Sequence, residues 1–65
     1  MPTLFVIRGM DQGARFELEG PMIRIGRDAS NNVQLHDTEV SRHHVEIRCL
    51  DNAFTISDLN SSNGT

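Results

Sequence analysis

Apolar residues recur at every second position over most of the chain, and no window longer than about eleven residues carries a helical stripe, so the pattern predicts an all-β fold. The alternation places strands at Leu4–Arg8 and Ala14–Leu18, joined by the loop Gly9–Gly13 into a hairpin with Phe16 and Leu18 on one face and Arg15 and Glu17 on the other. Glu19-Gly20-Pro21 breaks the run, and Met22–Gly26 forms a third strand with Ile23 and Ile25 opposite Met22 and Arg24. The polar cluster Asp28–Asn32 reads as a loop, Val33–Leu35 as a short strand, and His36–Glu39 as a second loop. His44–Cys49 alternates most regularly, with Val45, Ile47 and Cys49 inward and Glu46 and Arg48 outward. Leu50-Asp51-Asn52 then turns the chain into Ala53–Ser57, where Phe54 and Ile56 are expected to pack.

A polar run, Asp58 to Thr65, follows. Its Asn63-Gly64 pair is a two-residue hairpin signal that ordinarily has a strand on each side, yet only Thr65 comes after it. The expectation is a single β-domain over residues 1–65 that lacks its C-terminal strands. Its unpaired strand edges would then fray or pair with another chain, possible homo-oligomerisation being one consequence.

Composition narrows the function classes. At 65 residues the chain buries only about 60% of its unfolded surface, while 37% hydrophobic and 23% charged residues mark a globular protein rather than a disordered one. The apolar run Leu4–Ile7 is too short for a membrane span and lacks the preceding cations of a signal peptide. A lone cysteine, Cys49, forms no internal disulfide and reads as an apolar filler, which fits a reducing cytoplasm. The net charge of −3 provides no basic stripe for nucleic acid. All six cations are arginines, which favours planar two-pronged contacts over diffuse attraction.

Other chemistries find little support. Ser41, His44 and Asp58 are the residue types of a hydrolytic triad, but a serine three positions from its histidine is no nucleophile elbow, so no enzyme activity is expected. His36, His43 and His44 are metal-ligand residue types, but neighbouring histidines on a strand face opposite ways, so His43 and His44 do not share one ion, and neither a metal nor a cofactor is expected. Asn60-Ser61-Ser62 and Asn63-Gly64-Thr65 fit the glycosylation triplet, a pattern of little weight without a signal peptide.

Three separated motifs occur in order: Ile25-Gly26-Arg27 after a strand, Ser41-Arg42-His43-His44 before one, and Asp58 through Thr65 with Asn63-Gly64. Each is weak alone, but the ordered set resembles the forkhead-associated (FHA) domain, from about Thr3 to Thr65. The resemblance implies a twisted antiparallel β-sandwich whose end loops bind a phosphothreonine peptide, in a regulatory module of a signalling enzyme or secretion component.

Phosphothreonine carries about −1.5 to −2 charge and three strong acceptor oxygens, so its receptor needs fixed donors. Arg27, held at a strand end by Gly26, is suited to a two-pronged contact worth about 1.5–3 kcal/mol per bond; FHA domains are a standing example of such arginine recognition. By resemblance Ser41 is the second phosphate ligand, Arg42 reaches the phosphate or the peptide backbone, Asn63 grips that backbone, and Ser62 lines the same groove. His44 is expected to buttress the loops without touching ligand, while Gly26 and Gly64 admit backbone that a side chain would obstruct. The partner implied is a phosphothreonine-bearing protein; the alternative is an FHA-derived fragment that assembles through exposed strand edges and binds no phosphopeptide.

Overall fold

The computed structural model describes residues 2–65, and the elements within them are all strands. These are β1 (Thr3–Phe5), β2 (Arg15–Glu17), β3 (Met22–Gly26), β4 (Val33–Gln34), β5 (Val45–Leu50) and β6 (Ala53–Asp58). β1 and β2 form an antiparallel two-stranded sheet with Leu4 opposite Phe16. Val6 and Ala14 extend that pairing by a backbone bond of 3.0 Å, but the expected strand through Arg8 stops early, leaving Ile7 exposed.

The second sheet has the order β4-β3-β5-β6. β5 pairs antiparallel with β3 and with β6, and Ile23, Ile47 and Ile56 lie in register across the three strands. β4 departs from the all-antiparallel expectation by running parallel to β3, with Ile25 opposite Val33. Side chains make so tight a return possible: Asn32 Oδ1 accepts the Arg24 amide at 2.9 Å, where a longer β4 would have supplied a carbonyl. Asp51 and Asn52, both at positive φ, make the two-residue turn between β5 and β6 that matches strand twist.

The core lies between the inner face of this sheet and the β1–β2 hairpin. Ile23, Ile25, Val33, Val45 and Ile47 are buried, with Leu4, Phe16, Leu18 and Leu35 packed on them. The hairpin does not reach across β6. Phe54 and Ile56, expected to pack, therefore remain 52% and 63% exposed on an open apolar groove with Pro2, Leu18 and Ile47, and Cys49 is only half-buried. Glu46, expected outward, is indeed on the opposite face from Ile47, yet it is buried beneath Arg24 and Arg48, which pair with its carboxylate at 3.4 and 2.8 Å. Those guanidiniums hold its carboxyl below the usual range, with the Arg48 hydrogen bond the largest cause.

Candidate functional site

Three loops meet at one end of the four-stranded sheet: 27–32 after β3, 35–44 before β5, and 59–65 after β6. Gly26 sets the first junction. A Cβ there would overlap the Arg42 carbonyl oxygen and lie 2.8 Å from both the Arg42 carbonyl carbon and Asn31 Nδ2, so only glycine lets the two loops touch. Across this contact the Arg27 amide donates to Ser41 O at 3.0 Å and the Asp28 amide to Arg42 O at 3.1 Å. Asn31, buried at 8% exposure, donates its amide to Asp28 O at 2.8 Å and Arg42 O at 2.7 Å.

His44 joins the second loop to the third. Its Nδ1 accepts the Ser41 amide at 3.0 Å, which leaves Nε2 to carry the proton and donate to Gly64 O at 2.7 Å. The third loop is tied twice more: the Ser62 amide donates to Ser41 Oγ at 3.0 Å, and Asn63 Nδ2 donates to Glu39 O at 2.8 Å and Glu39 Oε2 at 3.1 Å. Asp58 closes this loop on itself by accepting from the hydroxyls of Ser61 and Thr65 and from the Ser61 amide. Those bonds, Ser61's hydroxyl first, hold its carboxyl down at about 2. Asp28 likewise accepts from the Ser30 hydroxyl and amide, which lower its pKa.

Arg27, Ser41, Arg42, Ser62 and Asn63 are thus brought to one rim, with Gly26, His44 and Gly64 beneath or beside them. Arg27 is exposed, and its Nε donates to Val40 O at 3.0 Å; among the described residues its two terminal nitrogens take no partner. A guanidinium fixed at Nε keeps a two-pronged edge for an incoming anion. Ser41 Oγ uses a lone pair on Ser62, so its proton remains to be donated outward. Arg42 contributes its carbonyl to the junction and leaves its exposed side chain without a partner among the described residues. Asn63 differs from expectation: its donor is spent on Glu39, so Oδ1 is the group it offers. Gly64 has φ 82° and Asn63 does not take positive φ, so the Asn63-Gly64 pair is not in the doubly left-handed form of a two-residue hairpin turn.

The same geometry bears on the other chemistries. His44 faces the Ser41 backbone amide and not its hydroxyl, so the nucleophile–base pair of a hydrolase is not made. The three histidines diverge: His36 Nδ1 lies 3.0 Å from Asp11 Oδ1, His43 Nδ1 lies 3.4 Å from Asn31 Oδ1, and His44 bridges two loops. Sequence reasoning missed Asn31 and Glu39, which sit inside polar loop runs where spacing carries no signal. It also missed Asp11 and Asp37. Asp11 accepts the His36 amide at 2.8 Å and Asp37 accepts the Met10 amide at 3.2 Å, which together brace the second loop against the β1–β2 turn. The His36 contact lowers the Asp11 pKa.

A family model, that of the cytoplasmic domain of an inner membrane component of T3SS, matches residues 5–65. The oxoglutarate dehydrogenase inhibitor of Corynebacterium diphtheriae is 44% identical over 62 residues, covering 95% of this chain and 43% of that protein. The glycogen accumulation regulator GarA of Mycobacterium tuberculosis is 40% identical over the same length, covering 38% of its own chain. The chain therefore spans less than half the length of these relatives. A solved chain studied for phosphothreonine-dependent FHA domain interactions superposes with a TM-score of 0.83 at 39% identity, over 95% of this chain and 62% of that one. Mycobacterium tuberculosis EmbR, solved with a low-affinity phosphopeptide, gives 0.76 at 38% identity over 85% of this chain and 14% of its own. Sequence and superposed fold agree: the chain belongs to the forkhead-associated domain family.

Proposed function

We propose that this chain is a phosphothreonine-reading binding module without enzymatic activity, working in the cytoplasm on a phosphothreonine-bearing protein and not on nucleic acid or membrane. The observation that carries the reading is the pairing of Arg27 with Ser41. One guanidinium is anchored through Nε with its terminal nitrogens unpartnered, and beside it a hydroxyl is anchored through its oxygen with its proton unspent. Both donors are held by loop contacts before any ligand arrives, so binding a phosphate costs little ordering entropy. Arg42 adds a second, exposed cation, Ser62 lines the groove, and Asn63 Oδ1 accepts from a peptide amide.

Phosphate oxygens take charge-assisted bonds of about 1.5–3 kcal/mol each from such donors. The threonine methyl adds about 0.8 kcal/mol if buried, so phosphoserine should bind several-fold more weakly. Fluorescence polarisation with a phosphothreonine peptide and its unmodified twin tests the reading. The expected result is saturable binding of the phosphorylated form alone, weakened tenfold or more in Arg27→Ala, since about 1.4 kcal/mol is a factor of ten. Equal affinity for both peptides removes the proposal.

A second reading is supported by the open groove at Phe54 and Ile56: this face and the β6 edge associate with another polypeptide, as in an assembly element that binds no phosphopeptide. Light scattering on the same sample separates the two, because that reading requires oligomers and no response to phosphate.

A further inference from the structure

We propose that Glu39 determines charge specificity at this site, so that the preferred ligand is a phosphothreonine segment with a basic residue close to the phosphothreonine. The inference rests on the phosphothreonine reading above and adds the class of segment read. Glu39 is exposed on the second loop, one residue before Val40, whose carbonyl fixes Arg27, and two before Ser41. Its carboxylate is not left to wander. Oε2 receives Asn63 Nδ2 at 3.1 Å while the Glu39 carbonyl receives the same amide at 2.8 Å, and its own backbone amide donates to Asp37 Oδ1 at 3.0 Å.

None of the described cations pairs with this carboxylate. Among the described residues, Arg15 pairs with Glu17, Arg24 and Arg48 pair with Glu46, and His36 lies beside Asp11. A carboxylate so placed has a cost at a phosphate-binding rim, because it repels the anion that Arg27 and Ser41 attract. A hydrogen bond to Asn63 does not cancel its charge. What does cancel it is an arginine or lysine brought by the ligand itself, one or two residues from the phosphothreonine, within reach of the Glu39 and Asn63 side of the cradle. An acidic residue in the same place meets like charge.

The size of the effect follows from exposed ion pairs, which alter affinity by about two- to fivefold per pair. Replacing a basic flank by an acidic one exchanges attraction for repulsion, and the ratio between two such ligands is expected to be about four- to twentyfold. Because the charges are exposed, the ratio shrinks in strong salt, where the Debye length falls to about 3 Å.

Glu39→Gln tests the proposal cleanly, since glutamine keeps an acceptor for Asn63 Nδ2 and removes only the charge. Three labelled phosphothreonine peptides, identical except for arginine, alanine or glutamate flanks, are titrated against the native chain, Glu39→Gln and Glu39→Lys. The native chain should rank them arginine, alanine, glutamate; Glu39→Gln should bring all three within about twofold, and Glu39→Lys should reverse the order. A native chain that binds all three alike, or a Glu39→Gln chain that keeps the ranking, overturns the assignment while leaving the phosphothreonine reading intact. If none of the three binds, that reading fails and this one with it.

Discussion

Replacing Gly26 by alanine perturbs the junction on which the whole site is built. The added methyl would overlap the Arg42 carbonyl oxygen and crowd Asn31 Nδ2 at 2.8 Å, and both are held by other bonds and are not free to swing away. Relief requires the loops to part, which loses the bonds from Arg27 N to Ser41 O, from Asp28 N to Arg42 O and from Asn31 Nδ2 to Arg42 O. At about 0.5–1.5 kcal/mol each, the loss is about 2–4 kcal/mol. A chain of this length is expected to have a total stability of about 3–10 kcal/mol, so the change is a large fraction of it. Thermal unfolding followed by circular dichroism should shift by about 10 °C or more, and phosphopeptide affinity should fall with it because Arg27 and Ser41 separate. Gly64→Ala provides the contrast: nothing lies within 4 Å of a Cβ there, and its cost comes only from φ 82°. A Gly26→Ala chain melting within about 3 °C of the native one would refute the argument from close approach.

Acid stability should depend on Asp58. Its folded pKa is depressed to about 2 from 3.8, so the unfolded chain binds the proton more readily; the stabilisation is present above the unfolded value and is lost as pH falls through the folded one. Asp58→Asn should flatten the loss of stability below about pH 4 without abolishing it, because Asp11, Asp28 and Glu46 are shifted the same way; an unchanged slope in acid denaturation contradicts this. Asn31→Ala removes a buried donor to two carbonyls and should lower the urea midpoint by an amount equivalent to about 1–3 kcal/mol at unchanged slope, with a shift indistinguishable from zero counting against it.

Period-two alternation was enough to locate β3 to the residue and β5 to within one, because Ile23, Ile25, Val45 and Ile47 face a core that rewards burial. It misjudged Phe54 and Ile56, whose pattern is equally regular, since alternation reports which face a side chain takes and not whether anything covers that face. The parallel course of β4 was hidden for a different reason: it depends on Asn32 substituting for a backbone acceptor, and in sequence that asparagine is only loop punctuation. At the site, the motif residues Arg27, Ser41, His44 and Asn63 were legible as a set. Their clamps, Asn31 and Glu39, were not, because a carboxamide or carboxylate in a polar loop looks the same whether it is solvated or spent on a carbonyl.

The most direct measurement is a map of backbone and arginine side-chain resonances in the isotopically labelled chain as phosphothreonine peptide is added. The largest changes should fall on Arg27, Ser41, Arg42 and Asn63, with the Arg27 guanidinium resonances moving as its terminal nitrogens acquire a partner. Changes centred instead on Phe54 and Ile56, with Arg27 unmoved, would contradict it.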